Sequence, residues 1–275
     1  MRLNHRIQHM IRERDSLLCV GLDVDPKKIP ANIMQGDDPI FRFNKAIIDA
    51  TADLVVAYKP NFAFYEALGS EGWDILKRTA AYIPDGMLKI GDAKRGDIGS
   101  TAEKYAEGLF SLGFDVVTVN PYLGWDSIRP FVKNEERGVF ILCLTSNPSS
   151  QDFQYIFSKG KTLYSRVAEK AVQWNEKENC GLVVGATHPE ELQRIRDLAP
   201  RLPFLIPGIG AQGGDLEASV LAGTDERGEA AIVNSSRGIL YASSGKDFQE
   251  AARREAQKLN DQINAVRGKK NKELT

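Results

Sequence analysis

One short stretch, KIGDAKRGDIGST at 89–101, gathers more reactive side chains than any other part of the chain. Asp92 and Lys94 stand two residues apart, so on a strand both side chains leave the same face. Asp97 and Thr101 follow, across a glycine-containing turn and the start of a helical pattern. Lys59 ends an earlier apolar run and can reach the same place. Ammonium and carboxylate groups packed alternately hold each other charged. Such an array can stabilise charge that develops during a reaction. Structural salt-bridge networks use the same residue types.

A second cluster is suited to phosphate. PGIGAQGGD at 207–215 carries four glycines, which let backbone N–H groups turn toward an anion, and it contains Gln212. NSSRGI at 234–239 adds Ser235, Ser236 and Arg237, and a guanidinium matches phosphate oxygens bidentately. Each motif alone is weak. Their joint position on the last two apolar runs carries the assignment, because α/β barrels commonly bind phosphate in the loops after strands seven and eight.

The elements that position these residues can be read from the apolar runs. Eight occur: LLCVGLD (17–23), LVVAYKP (54–60), MLKIGDAK (87–94), DVVTVNP (115–121), VFILCLTS (139–146), GLVVGAT (181–187), PFLIPGIG (203–210) and AAIVNSSRG (230–238). They are nearly continuous in Val, Ile, Leu and Cys, the pattern of strands buried on both faces of a parallel sheet. Between them, 41–52, 72–83, 101–113, 165–178, 189–199 and 248–263 show apolar residues at helical spacing. Thr187 and Glu190 read as a capping box with Pro189 in the first turn, and Gly113 as a helix C-terminus. Alternation of this kind predicts a single (β/α)8 TIM barrel over 1–275, with an N-terminal helix at 1–15 covering the floor and a flexible tail at 268–275. Asp23, Lys59, Asp92, Lys94, Asn120, Thr145, Ser146 and Arg237 then sit at strand ends, with Gln212 just past the seventh, all on one rim. The irregular stretch 147–161 has the length of a lid or of a solvated insertion.

Composition removes other classes. Lys and Arg number 36 against 37 Asp and Glu, a net charge of -1, which lacks the basic excess a nucleic-acid binder uses. No apolar run approaches a membrane span, and the charged start MRLNHRIQHMIRERDS is unlike a signal peptide, so a cytoplasmic protein is expected. Cys19, Cys143 and Cys180 are widely spaced and read as reduced core residues. His5 and His9 share a helix face, but no third metal ligand accompanies them, and no metal site is assigned.

From about Cys19 to Ser243 the chain resembles the orotidine 5′-phosphate decarboxylase family, in particular its bacterial second subgroup. The most specific match is the DxKxxDxxxT pattern of Asp92, Lys94, Asp97 and Thr101. Lys59 in AYKPN, Asp23 in GLDVDP, Ser146 in TSNPSS, Gln212 and Arg237 match other family positions, while Ser236 stands where better-studied members have glycine. The resemblance implies loss of CO2 from the nucleotide orotidine 5′-phosphate to give UMP, without a cofactor. On that basis Lys94 stabilises the C6 carbanion and protonates it, and Asp92 lies beside the departing carboxylate. Lys59 and Asp97 orient Lys94 and, with Asp23 and Thr101, bind ribose. Ser146 contacts the pyrimidine, Gln212 and Arg237 hold the phosphate, and either Ser235 or Ser236 joins them there. The family pattern also implies a homodimer in which Asp97 and Thr101 complete the neighbouring subunit's site.

Three alternatives remain open at this level. A magnesium-dependent sugar-phosphate enzyme on the same scaffold shares Asp-x-Lys, but it carries a carboxylate where this chain has Lys59. A Schiff-base aldolase needs a neutral lysine, which Asp92 and Asp97 disfavour at Lys94. A nucleotide sensor needs the phosphate cluster but not the four charges together.

Overall fold

Each of the eight apolar runs forms a strand in the computed structural model, which describes residues 1–209 and 215–272. The strands are β1 (Leu18–Gly21), β2 (Ala57–Lys59), β3 (Leu88–Arg95), β4 (Val116–Val119), β5 (Gly138–Leu144), β6 (Cys180–Val184), β7 (Phe204–Pro207) and β8 (Ala231–Ser235). Each pairs in parallel with its sequence neighbours, and β8 returns to β1 with Leu18 opposite Val233, closing the barrel. Their side chains are buried almost throughout, because the barrel interior lies on one face and the helices on the other.

The longer helices are α1 (Leu3–Arg14), α2 (Pro39–Thr51), α3 (Ser70–Tyr82), α4 (Gly99–Ser111), α5 (Leu163–Trp174), α6 (Pro189–Leu198), α7 (Leu216–Gly223) and α8 (Phe248–Lys272). Six match the helical patterns of the sequence to within a few residues at the N-terminal end. Gly113 follows the end of α4 at φ +95°, the left-handed turn its sequence position predicted. Helix α1 does cover the floor. Leu3, Ile7 and Ile11 are buried, and Leu3 N–H donates to Glu135 O at 2.9 Å just ahead of β5.

Two local expectations change, and one helix forms where the sequence showed no helical pattern. The capping box at Thr187 does not form: α6 starts after His188, which makes no side-chain cap, and Glu190 projects outward beside Arg194. Helix α7 had no amphipathic signal, because LEASVLAG is small and apolar on nearly every side. It is nevertheless capped by Asp215, whose carboxylate accepts from Ala218 N–H at 2.9 Å. The stretch from 268 does not fray at once. Helix α8 continues to Lys272, and Lys270 Nζ donates to the carbonyls of Leu221 and Thr224 at 2.7 and 2.9 Å, capping the C-terminal end of α7.

Candidate active site

The strand ends open on a cavity of about 450 Å³ at the C-terminal mouth of the barrel, a size that fits a small ligand. Asp23, Lys59, Asp92, Lys94, Thr145, Ser146, Ser235, Ser236 and Arg237 all line it. So do Asn61, Thr118 and Asn234, which the sequence reading did not single out as site residues.

Asp92 is the centre of the charged part. Its Oδ2 accepts from Lys59 Nζ at 2.9 Å and its Oδ1 from Lys94 Nζ at 2.6 Å. Lys59 Nζ also lies 3.9 Å from Asp23 Oδ1, an atom with no hydrogen-bond partner among the described residues. The two lysines differ in access: the Lys59 side chain is 4 % exposed and that of Lys94 48 % exposed. Lys59 is therefore the buried partner of Asp92, and Lys94 the one open to the cavity.

Burial by itself would raise the Asp92 carboxyl, but the charges of Lys59 and Lys94 outweigh it and hold it well below the usual carboxylate range. For Lys59 burial works to lower the ammonium, and the carboxylates of Asp92 and Asp23 more than reverse that. Both groups are ionised at neutral pH. The cysteines behave oppositely: burial pushes the Cys19 and Cys180 thiols up to about 12, as expected of inert core residues.

The backbone sets this geometry. Gly91 pairs with Val117 and Arg95 with Val119, so Asp92, Ala93 and Lys94 bulge opposite Thr118 alone. Lys94 takes a left-handed conformation, φ +48°. Asp23 is fixed from behind: Tyr65 Oη donates to Leu22 O at 2.9 Å, and Tyr241 Oη accepts from Asp25 N–H at 2.7 Å.

Pro207, Gly208, Ile209, Ser235, Ser236 and Arg237, from the ends of β7 and β8, also line the cavity. Gln212 and the rest of 210–214 lie outside the described residues. Gly21 leaves room for Ser236 here: a Cβ at this position would stand 1.9 Å from Ser236 Oγ, and the hydroxyl would have to turn away. Arg237 is exposed, beside the two serines. Ser146 is packed against Gly185, where an added Cβ would meet Ser146 Cβ at 3.0 Å.

Asp97, Thr101 and Asn120 do not line the cavity. Asp97 turns back on its own chain, accepting from Ile98 N–H at 2.8 Å, and Thr101 is exposed on α4. His5 Nε2 lies 3.4 Å from Glu178, and no group of three potential metal ligands occurs among the described residues. The stretch 147–161 has structure of its own: a 3₁₀ turn at Pro148–Asp152 and a hairpin pairing Phe157–Ser158 with Lys161–Thr162. Gln154 ties it to the rim, its Oε1 accepting from Thr145 N–H and its Nε2 donating to Thr145 Oγ1, both at 2.8 Å.

Comparison with known proteins identifies the family. Residues 16–254 match the model of the orotidine 5′-phosphate decarboxylase / HUMPS family. An orotidine 5′-phosphate decarboxylase of Dehalococcoides mccartyi is 50 % identical over 272 residues, covering 97 % of this chain and 99 % of that protein. Among solved structures, Leishmania donovani OMP decarboxylase superposes with a TM-score of 0.83 at 40 % identity, covering 94 % of this chain and 98 % of the other. Leishmania donovani UMP synthase matches with a TM-score of 0.85 at 42 % identity, over 94 % of this chain and 56 % of that longer one. A cluster of Asp23, Lys59, Asp92 and Lys94 at the barrel mouth, serines and an arginine lining the same cavity, and this likeness along almost the whole length place the chain in the orotidine 5′-phosphate decarboxylase family.

Proposed function

We propose that this chain decarboxylates orotidine 5′-phosphate to UMP and CO2 by direct formation of a carbanion at C6. The observation that carries the reading is the division of labour on Asp92: one oxygen bound to a buried lysine, the other to a lysine open to the cavity. The electron pair left at C6 lies in the plane of the ring and gains little from the ring carbonyls. A fixed ammonium aimed at it supplies the stabilisation instead. Lys94 fills that role and then gives its proton to C6. No organic cofactor or metal enters this scheme.

Asp92 stays ionised, so it faces the substrate carboxylate as a like charge. That repulsion is relieved when CO2 departs, while the attraction to Lys94 grows. Lys59 keeps Asp92 ionised and in place. Ser146 is assigned to the pyrimidine and Asp23 to ribose. Ser236 and Arg237, with Gln212, are assigned to the phosphate, where binding energy remote from C6 can be used to lower the barrier.

The same reading assigns Asp97 and Thr101 to the site of a second subunit. Both lie outside their own cavity, and Ile98, next to Asp97 in sequence, is an exposed apolar side chain, which suits a homodimer with shared sites. Three free, buried cysteines fit a reducing cytoplasmic setting. Lys59 argues against a metal-dependent relative on this scaffold, since an ammonium occupies the place of a ligand carboxylate and already bonds Asp92.

The test is to follow the ultraviolet absorbance change of orotidine 5′-phosphate on conversion to UMP, with and without EDTA. Parent protein is expected to turn over equally in both, and Lys94→Ala to lose at least about a thousandfold in kcat while still binding UMP. No turnover by the parent, or turnover abolished by chelation, refutes the proposal.

A further inference from the structure

We infer that Thr118, in the middle of β4, is a positioning residue for the reaction: its hydroxyl fixes both the main chain of Lys94 and the carboxylate of Asp92. The inference rests on the decarboxylase reading and extends it to a residue that never has to touch the substrate.

The argument starts from the bulge. Three residues of β3 oppose one residue of β4 between two ladder pairs, so the main chain of Lys94 leaves the regular ladder. A part-buried N–H that leaves the ladder is satisfied by another acceptor. Thr118 Oγ1 is that acceptor, 2.9 Å from Lys94 N. The same oxygen donates its hydrogen to Asp92 Oδ1 at 2.9 Å. A hydroxyl has one hydrogen and two lone pairs, so the directions of the two bonds are fixed without ambiguity. The Thr118 side chain is committed inward, since the residue is 1 % exposed.

Two consequences follow. Lys94 is held at φ +48°, a conformation rarely adopted by a residue with a Cβ, and the hydroxyl bond helps to keep it there. Asp92 Oδ1 accepts from both Thr118 and Lys94, so the oxygen that orients the reactive ammonium is itself oriented. Thr118 thus controls where Lys94 Nζ points without contributing charge. Small errors in the placement of a reacting group lower rates far more than binding, because the productive geometry is narrow.

The experiment compares Thr118→Val and Thr118→Ser with the parent, measuring kcat and KM for orotidine 5′-phosphate and the dissociation constant of UMP. Valine keeps the shape and removes both bonds; serine keeps both bonds. Thr118→Val is expected to lose about 10- to 100-fold in kcat, with KM and UMP affinity within about threefold of the parent. Thr118→Ser is expected to stay within about threefold in kcat. A Val variant with parental kcat, a loss expressed in KM alone, or a Ser variant as poor as Val would overturn the inference. If Thr118→Val is not recovered folded, Thr118→Cys takes its place under the same criteria. Inactive parent protein would sink the decarboxylase reading instead. The role of Thr118 would then be decided by a crystal structure of Thr118→Val: an unmoved Lys94 main chain and Asp92 carboxylate refute it.

Discussion

Lys59→Met tests the buried half of the charge network. Lys59 is 4 % exposed and 2.9 Å from Asp92, so methionine keeps the apolar stem and deletes only the charge. Removing one partner of a buried pair typically costs about 3–5 kcal/mol, because the other charge stays buried. Asp92 retains Lys94 and Thr118 on its other oxygen, which places the loss near the lower end, about 3 kcal/mol. At about 2–4 °C per kcal/mol for a chain of this size, Tm should fall by about 6–12 °C. The pH dependence has a definite sign. The Asp92 carboxyl is depressed on folding, so its contribution is complete above its unfolded pKa, about 3.9, and is lost as pH falls through the lower folded value. The Lys59 ammonium is raised on folding, so its contribution is complete below about 10.4 and is lost as pH rises through the higher folded value. The Tm difference between parent and variant should therefore be flat from about pH 5 to 9 and narrow at both extremes. Calorimetric scans across that range measure it. A variant as stable as the parent at pH 7, or a gap that varies through pH 5–9, would refute the reasoning.

Arg237→Ala should raise KM for orotidine 5′-phosphate about 10- to 100-fold, the scale of a lost charge-assisted phosphate contact, and slow its turnover, while leaving the slow turnover of phosphate-free orotidine nearly unchanged. Equal loss on both substrates would place Arg237 elsewhere. Lys94→Ala and Asp97→Ala are each expected to be inactive alone. Mixed and re-associated, they should regain about a quarter of parental activity, since half of the dimers are heterodimers with one intact site each; absence of any recovery argues against shared sites. Asp92→Asn removes the like charge facing the substrate carboxylate, so it should bind orotidine 5′-phosphate at least as tightly as the parent by isothermal titration while losing most of kcat. Weaker binding would mean that Asp92 acts only by orienting Lys94.

The barrel was legible because parallel strands buried on both faces leave continuous apolar runs, and each of the eight became a strand. The charged rim was legible for a related reason: Lys59, Asp92 and Lys94 at the ends of such runs have no packing role that a smaller residue would not fill. What could not be read was long-range backbone geometry. Thr118 looks like any β-branched strand residue, and its role exists only because β3 bulges opposite it. The Thr187 capping box failed because sequence spacing cannot show that His188 occupies the cap position. Helix α7 was hidden since a short element lined with small apolar residues has no polar face to reveal its period. The tail read as charged and free, yet Lys269 pairs with Glu217 at 2.7 Å and Lys270 caps α7, partners no local pattern announces.

The cluster of Asp23, Lys59, Asp92 and Lys94 is better explained by the reaction than by the fold. Two charges moved out of water gain little net stability from each other, and a well-packed apolar pair of similar volume is often as stable. Lys59 and Asp92 are both buried at the ends of strands whose other side chains are largely apolar, so methionine at 59 opposite leucine at 92 is a replacement the site could accept. Such a double replacement would restore much of what Lys59→Met alone loses, while removing the carboxylate that holds Lys94. The bulge points to the same conclusion from the backbone side. A left-handed lysine and a broken ladder are costs to folding that place one ammonium at the open mouth of the cavity. Charge burial and backbone strain converge on the same atom, Lys94 Nζ. That convergence is expected where a preorganised cation, rather than a packed core, is what the sequence specifies.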